Sequence, residues 1–281
     1  MARDFRFGVI LADVETPHVS SVSSRTELKQ KAAQMEDLGF DVLSMPDHLG
    51  SIAPFPAMAA AAQSTTTIRL GTCVLNAGFY NPALLARDAA EVNLLSDGRL
   101  ELGLGAGYVK EEFDAAKLPF PTGRERVEHL THVVEFLAEH LPEVPIMVAG
   151  NGDRLLTMAA RTADIVGLTG LPAGPGIADP LADRAQFISD AAGERWSALE
   201  LNLLVAAIPT DASGQPDLAL PRWHLPDLPD AELLSLPGVL AGSPRDIAES
   251  IRGYRDRCGV TYITVMELHA EQFAKVIAEL R

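Results

Sequence analysis

Two cysteines in 281 residues, Cys73 and Cys258, are too few for a disulfide framework and show no metal-ligand spacing. A reduced cytoplasm is the simplest home for such a chain. No apolar run reaches the roughly 18 residues of a membrane-spanning helix. The opening Met1-Ala2-Arg3-Asp4-Phe5 goes straight into an apolar strand and lacks the layout of a signal peptide. Positive charge is also short: 23 Lys and Arg stand against 38 Asp and Glu, for a net charge of -15. Nucleic acid and anionic membrane are therefore not expected partners, since both are held through basic patches. A small anionic ligand is still possible, because a cradle of backbone N–H groups can hold phosphate on an acidic protein. The H-E-x-x-H, Walker A and G-x-S-x-G patterns are absent too, which removes support for zinc peptidase, P-loop and common serine hydrolase chemistry.

What the chain does have is 47% hydrophobic residues, enough for a large core, arranged as short strands alternating with amphipathic helices. Strand-like runs occupy Phe5–Leu11, Asp41–Met45, Ile68–Leu75, Arg99–Leu104, Pro145–Ala149, Asp164–Thr169, Glu200–Ile208 and Val260–Val265. Helical patterns follow them. Ser24-x-x-Glu27 is a capping box ahead of Leu28, Ala32, Met35 and Leu38, with Gly39 as the stop. Asn81-Pro82 starts a helix that points Leu85, Ala89, Val92 and Leu95 inward, with Arg87, Asp88 and Glu91 as candidates for its outer face. Ser243-Pro244-x-Asp246 caps another helix, and Phe273, Val276, Ile277 and Leu280 line the last. Strict alternation predicts a parallel sheet with helices outside. Eight units predict an α/β (β/α)8 TIM barrel; an open doubly wound sheet is the runner-up. The chain, 1–281, shows no linker that would split it. Its proline-rich stretch 209–242 reads as an insertion before the seventh helix, near the barrel mouth.

A barrel carries its active site at the C-terminal ends of its strands. Asp47-His48 closes the second strand. A histidine there can give a proton, take one or bond a flat heterocycle; the plainer reading is a strand-end pair tied to nearby backbone. Gly103-x-Gly105-x-Gly107, followed by Tyr108, ends the fourth strand without the Rossmann spacing. Its bare backbone lets either a cofactor or a neighbouring strand come close. Ala149-Gly150-Asn151-Gly152 joins a strand to a helix, as a phosphate cradle or as a simple tight turn. Cys73 is a nucleophile or, more commonly at such a place, a buried thiol. His129, His132 and Glu135 have helical spacing, but an outer barrel helix turns them to solvent, so no metal site is expected. Trp223 and His224 either line a pocket or pack as loop aromatics.

The blocks Asp41–His48 (DVLSMPDH), Ile68–Asn76 (IRLGTCVLN), Asn81–Ala86 (NPALLA) and Asp97–Tyr108 (DGRLELGLGAGY) occur in an order that resembles the bacterial luciferase-like flavin and deazaflavin superfamily. Glu111-Glu112-Phe113, Ala149–Gly152 and Ala163-Asp164 add to the likeness, which is nearest to the coenzyme F420-dependent oxidoreductases. It runs through most of Phe5–Leu168 and weakens from there to Ser243. The resemblance implies a TIM barrel whose third strand is kinked by a non-proline cis peptide at Cys73–Val74, pressed against the cofactor ring. It implies coenzyme F420 as cofactor, with FMN the alternative. His48 becomes the catalytic residue, with Asp47 beside the reactive part of the ring. Gly105, Ala106, Gly107 and Tyr108 form one wall, and Ala149, Gly150, Asn151, Gly152, Thr169 and Gly170 hold the cofactor's tail.

The function so implied is hydride transfer between deazaflavin and a small organic substrate. An FMN-dependent monooxygenase using reduced flavin and oxygen is the alternative, and a cofactor-binding barrel without turnover is a third reading. Members are commonly homodimers, so a homodimer is expected. One feature departs from the pattern: sugar-phosphate dehydrogenases of this kind carry glutamate where this chain has Tyr108. With no obvious set of lysines and arginines for a sugar phosphate, the expected substrate is apolar or weakly polar.

Overall fold

The computed structural model describes residues 4–12, 22–171 and 177–281. Asp13, at the expected end of the first strand, and most of the loop that opens at Leu171 lie outside them. The strands are β1 (Arg6–Ile10), β2 (Val42–Met45), β3 (Arg69–Thr72), β4 (Leu75–Asn76), β5 (Leu100–Gly105), β6 (Ile146–Ala149), β7 (Ile165–Leu168), β8 (Glu200–Val205) and β9 (Val260–Met266). They hydrogen-bond in the order β3-β2-β1-β9-β8-β7-β6-β5-β4, and a further β3–β5 pairing closes the ring. β3 and β4 are two halves of one expected strand, so the barrel has the eight staves of a (β/α)8 fold. The helices outside are α1 (Arg25–Asp37), α2 (Pro54–Ala62), α3 (Pro82–Leu95), α4 (Lys110–Ala115), α5 (Gly123–His140), α6 (Asp153–Thr162), α7 (Pro180–Ala192), α8 (Ala219–His224), α9 (Asp230–Leu233), α10 (Pro244–Cys258) and α11 (Ala270–Leu280). No described helix is long and apolar enough to cross a membrane.

Burial on both faces explains why these strands read as apolar runs rather than as alternating ones. Phe7, Val9, Leu43, Leu70, Leu102 and Leu104 point outward into the layer shared with the helices, all fully buried. The lumen changes character along its length. At its N-terminal end the Arg6 guanidinium bonds both Glu101 and Glu200 and lies 4.6 Å over the Tyr262 ring. At its C-terminal end Ile10, Ala12 and Met266 pack with Cys73, Leu204 and Ala206, and Leu220 of α8 is buried among them. The stretch 209–242, which supplies α8 and α9, thus reaches the mouth. Leu218, Leu233 and Val239 of this stretch pack with Ala207. The N–H groups of Ala206 and Ala207, just past β8, both donate to the Gly238 carbonyl.

The helix caps follow the sequence. Asn81 Oδ1 accepts the Ala83 N–H with Pro82 at the first helical position, and Ser243 and Asp246 cap α10 reciprocally. In α1 the Ser24 hydroxyl accepts the Glu27 N–H, but the Glu27 carboxylate reaches back to the Ser23 N–H, one residue beyond the expected box. One inward assignment is corrected. Leu95 is exposed, because it sits about a quarter-turn from the face of Leu85, Ala89 and Val92; Ser96 takes the next inward place and is fully buried.

α1 is locked to the start of β3 by a contact that has no local signature. The Glu36 carboxylate accepts the N–H groups of Thr66, Thr67 and Ile68 and the Thr67 hydroxyl. Burial pushes this carboxyl up, but the donors outweigh it and bring its pKa from 4.5 down to about 2. A depressed carboxylate stabilises the fold fully above its unfolded value and loses that contribution as pH falls through the folded one. Glu36→Ala is therefore expected to lower the melting temperature near pH 7. In a melting series against pH, the gap from the native protein should close between 4.5 and about 2.

Candidate active site

The site is built where the third strand breaks. The Cys73–Val74 peptide is cis, at the bond where the resemblance places it. Below the break Leu70 pairs with Leu100, and above it Leu75 pairs with Leu104, so the broken strand carries one extra residue relative to β5. The Thr72 side chain spans the gap: its hydroxyl donates to the Gly103 carbonyl and accepts the Gly103 N–H, at 2.8 and 2.9 Å. The glycines of β5 receive the broken strand two residues at a time. A Cβ on Gly103 would lie 2.1 Å from the Thr72 carbonyl oxygen, one on Gly105 2.8 Å from Val74 Cγ2, and one on Gly107 2.1 Å from Asn76 Oδ1. The close-packing reading of this run is therefore the physical reason for its glycines. Ala106 between them is half-buried against the core.

Next to this seam lie the titratable residues of the site. His48 Nδ1 is 2.9 Å from Glu112 Oε1 on α4, and the same oxygen accepts the Leu49 N–H at 3.1 Å. The Tyr108 ring meets His48 edge to face at 6.3 Å and is itself 65% exposed, so it forms an open wall. Asp47 accepts the Asn76 N–H at 2.9 Å and a hydrogen bond from Tyr80, tying the end of β2 to β4. Burial pushes the Asp47 carboxyl up while those two donors hold it down, and the net direction is upward. Cys73 is half-buried at the mouth; burial pushes its thiol up to about 12 and the Glu101 charge adds to this. Both effects favour the neutral thiol over the thiolate a nucleophile needs, and Cys73 packs against Val42, Met147, Ile165 and Tyr262.

The second part of the site lies at the ends of β6 and β7. Asn151 Nδ2 donates to Thr169 Oγ1 at 2.6 Å, while Asn151 Oδ1 is buried and has no hydrogen-bond partner among the described residues. α6 starts at Gly152 without a side-chain cap, and a Cβ on Gly152 would meet nothing within 4 Å. The neighbouring Asp153 accepts from Arg184 at 2.6 Å, a buried side chain of α7 that also pairs with Asp183. Gly150 is different: its missing side chain makes room for Leu155. Ala149, at the end of β6, is half-buried, and Gly170 turns at φ +71° against Gly238. An uncapped helix start suits a phosphate, and the orphaned Asn151 oxygen suits a hydroxyl donor. A cofactor tail bearing both groups fits these residues.

Two residues at the site carry no sequence signal for their contacts. Glu112 meets His48 across 64 residues of chain, and Arg184 meets Asp153 across 31. His129 is corrected: it is half-buried, and its Nε2 bonds the Ala77 carbonyl at 3.0 Å, whereas His132 and Glu135 are exposed as expected. Among the described residues no group of His, Cys, Asp or Glu is arranged to hold a metal. Trp223 is half-exposed, and the His224 side chain lies outside the described residues.

Residues 5–213 match the model of the luciferase-like monooxygenase family. The chain belongs to that family. Among its luciferase-like relatives, an F420-dependent glucose-6-phosphate dehydrogenase of Kribbella flavida is 34% identical over 122 residues, 40% of this chain and 36% of the relative. A 5,10-methylenetetrahydromethanopterin reductase of Archaeoglobus fulgidus is 29% identical over 158 residues, 49% of this chain and 47% of the relative. The chain thus spans about half or less of the curated relatives it matches. Solved structures share the fold along the whole length. The F420-dependent tetrahydromethanopterin reductase of Methanopyrus kandleri superposes with a TM-score of 0.76 at 19% identity, covering 99% of this chain and all of that one. The monooxygenase RslO1 of Streptomyces bottropensis superposes with a TM-score of 0.73 at 20% identity, covering 97% and 96%.

The two kinds of glycine at this luciferase-like mouth separate in a mutational test. Gly107, at φ +73° and against Asn76, tolerates no side chain. Gly107→Ala should cost about 2–5 kcal/mol in denaturant unfolding. Gly152→Ala, at φ -73° on the N-cap of α6, should cost only about 0.5–1 kcal/mol.

Proposed function

We propose that the protein is an F420-dependent oxidoreductase that passes hydride between the deazaflavin and a small, weakly polar organic substrate. The observation that carries this reading is a half-buried histidine–carboxylate pair, His48 and Glu112, at the same C-terminal end of the barrel as the apolar cluster of Ile10, Cys73, Leu204, Met266 and Leu220. The named F420-dependent relatives support the cofactor. When bound, the deazaflavin supplies hydride chemistry that the side chains lack. The chain supplies the rest. Apolar side chains at the mouth exclude water from the reacting centre. The first N–H groups of α6 hold phosphate, and Asn151 Oδ1 accepts from a tail hydroxyl. His48 gives or takes the proton that must move when a carbonyl and an alcohol interconvert. Tyr108, standing where the sugar-phosphate enzymes have glutamate, leaves that position without a second carboxylate and favours a substrate without phosphate.

Titrating the apo protein with F420 and with FMN tests the cofactor. F420 is expected to bind at least about tenfold tighter; tight FMN binding with none of F420 would replace this reading with the flavin monooxygenase one. Gly152→Ala, at most mildly destabilising, should weaken F420 binding by a factor of ten or so, because its Cβ enters the space left for the tail. With a panel of small alcohols, ketones and enones followed by deazaflavin absorbance, His48→Ala should lose about 100-fold or more in kcat while binding F420 normally. Unchanged turnover would remove His48 from the proton path.

A further inference from the structure

We infer that Glu112 is a positioning residue: it selects the tautomer of His48 in which Nδ1 carries the proton and Nε2 the lone pair, which prepares the ring for the proton exchange assigned to it. Only the last clause rests on the function proposed above.

The argument begins with a backbone donor. The Leu49 N–H can only donate, and it donates to Glu112 Oε1 at 3.1 Å. In the ionised carboxylate that oxygen can only accept. His48 Nδ1 lies 2.9 Å from the same oxygen. Two acceptors at that distance would repel, so Nδ1 must present a hydrogen. In a neutral imidazole a proton on Nδ1 leaves the lone pair on Nε2. The neutral ring then takes a proton through Nε2, and the imidazolium returns it from the same atom.

The carboxylate can impose this choice because its own place is fixed. Glu112 is 8% exposed. Its neighbour on α4, Phe113, is held between Phe79 and Phe120 at centroid distances of 5.3 and 5.1 Å. Arg126 stacks 4.3 Å over Phe120, donates to the Gly107 carbonyl at 2.9 Å and donates to the Pro121 carbonyl at 2.6 Å. The loop that follows the glycine strand is thereby pinned at both ends. Tyr108 restrains the other side of the imidazole. Holding a base in one tautomer and one orientation is the task of the third member in nucleophile–base–orienter constellations, and Glu112 is placed to perform it.

The direct test needs no cofactor. Long-range 15N–1H correlation spectra of the histidine rings, recorded on this protein with a neutral His48 ring, report the tautomer. The native protein should show His48 protonated on Nδ1. Glu112→Gln, whose amide oxygen can accept from both donors, should keep that pattern, and Glu112→Ala should lose it in favour of a mixture or the Nε2–H form. A native spectrum with His48 protonated on Nε2 would overturn the inference, even if the alanine variant failed to fold. Identical spectra for the native and alanine proteins would do so as well. In turnover, Glu112→Ala should lower kcat by about 10- to 100-fold with little change in KM, and Glu112→Gln should recover most of that loss. A shifted tautomer with unchanged kcat would leave the positioning role standing and remove the proton role proposed for His48.

Discussion

The seating of the broken third strand on the glycine face of β5 is the contact from which the rest of the mouth hangs. Thr72, Val74 and Asn76 occupy the places that side chains on Gly103, Gly105 and Gly107 would fill. The Thr72 hydroxyl supplies the two hydrogen bonds that the interrupted ladder cannot. From Asn76 the dependence runs outward. Its N–H anchors Asp47 at the end of β2, and its side chain fits under the left-handed turn at Gly107. Arg126 then grips the Gly107 carbonyl, α4 follows, and Glu112 arrives beside His48. A bulky residue at any of the three glycines would disturb the His48–Glu112 pair without touching it.

The two ends of the barrel divide stability from chemistry. The N-terminal end is filled by a charged cluster of Arg6, Glu101, Glu200 and Arg69, a network whose disruption would leave buried charge unpaired. The C-terminal end is apolar and partly roofed by Leu220 of the 209–242 stretch. Such a division is the general one for (β/α)8 proteins. Here it places a low-polarity wall next to one proton-carrying pair, an arrangement suited to moving a hydride and a proton together while keeping water out.

Much of this was legible in the residues, and what was not legible has a common cause. Strand count, helix caps and the insertion are written in short-range patterns: Asn81-Pro82 and Ser243-x-x-Asp246 specify their helix starts within four residues. The cis bond and the His48 role came with the family resemblance, because no local rule singles out Cys73–Val74. Partners separated by long stretches of chain left no trace. Arg99 read as part of a turn-and-strand motif, yet its guanidinium ties Ser96, Thr65, Ile68 and Ala62 together, closing the N-terminal ends of β3 and β5 against α2. Glu112 read only as part of the Glu111-Glu112-Phe113 block of the resemblance, and only folding brings it to His48. The glycine run illustrates a subtler limit. Its pattern announced a close approach, but the sequence alone does not say whether a ligand or a strand makes it.

The central claim is that one mouth holds a deazaflavin across the broken strand, with its tail at the start of α6 and its reactive edge near His48. A crystal structure of the protein with F420 bound tests this most directly. The account predicts the ring against Cys73 and Val74 and a phosphate on the first N–H groups of α6 beside Gly152. A cofactor bound away from the broken strand, or with its phosphate remote from α6, would contradict it.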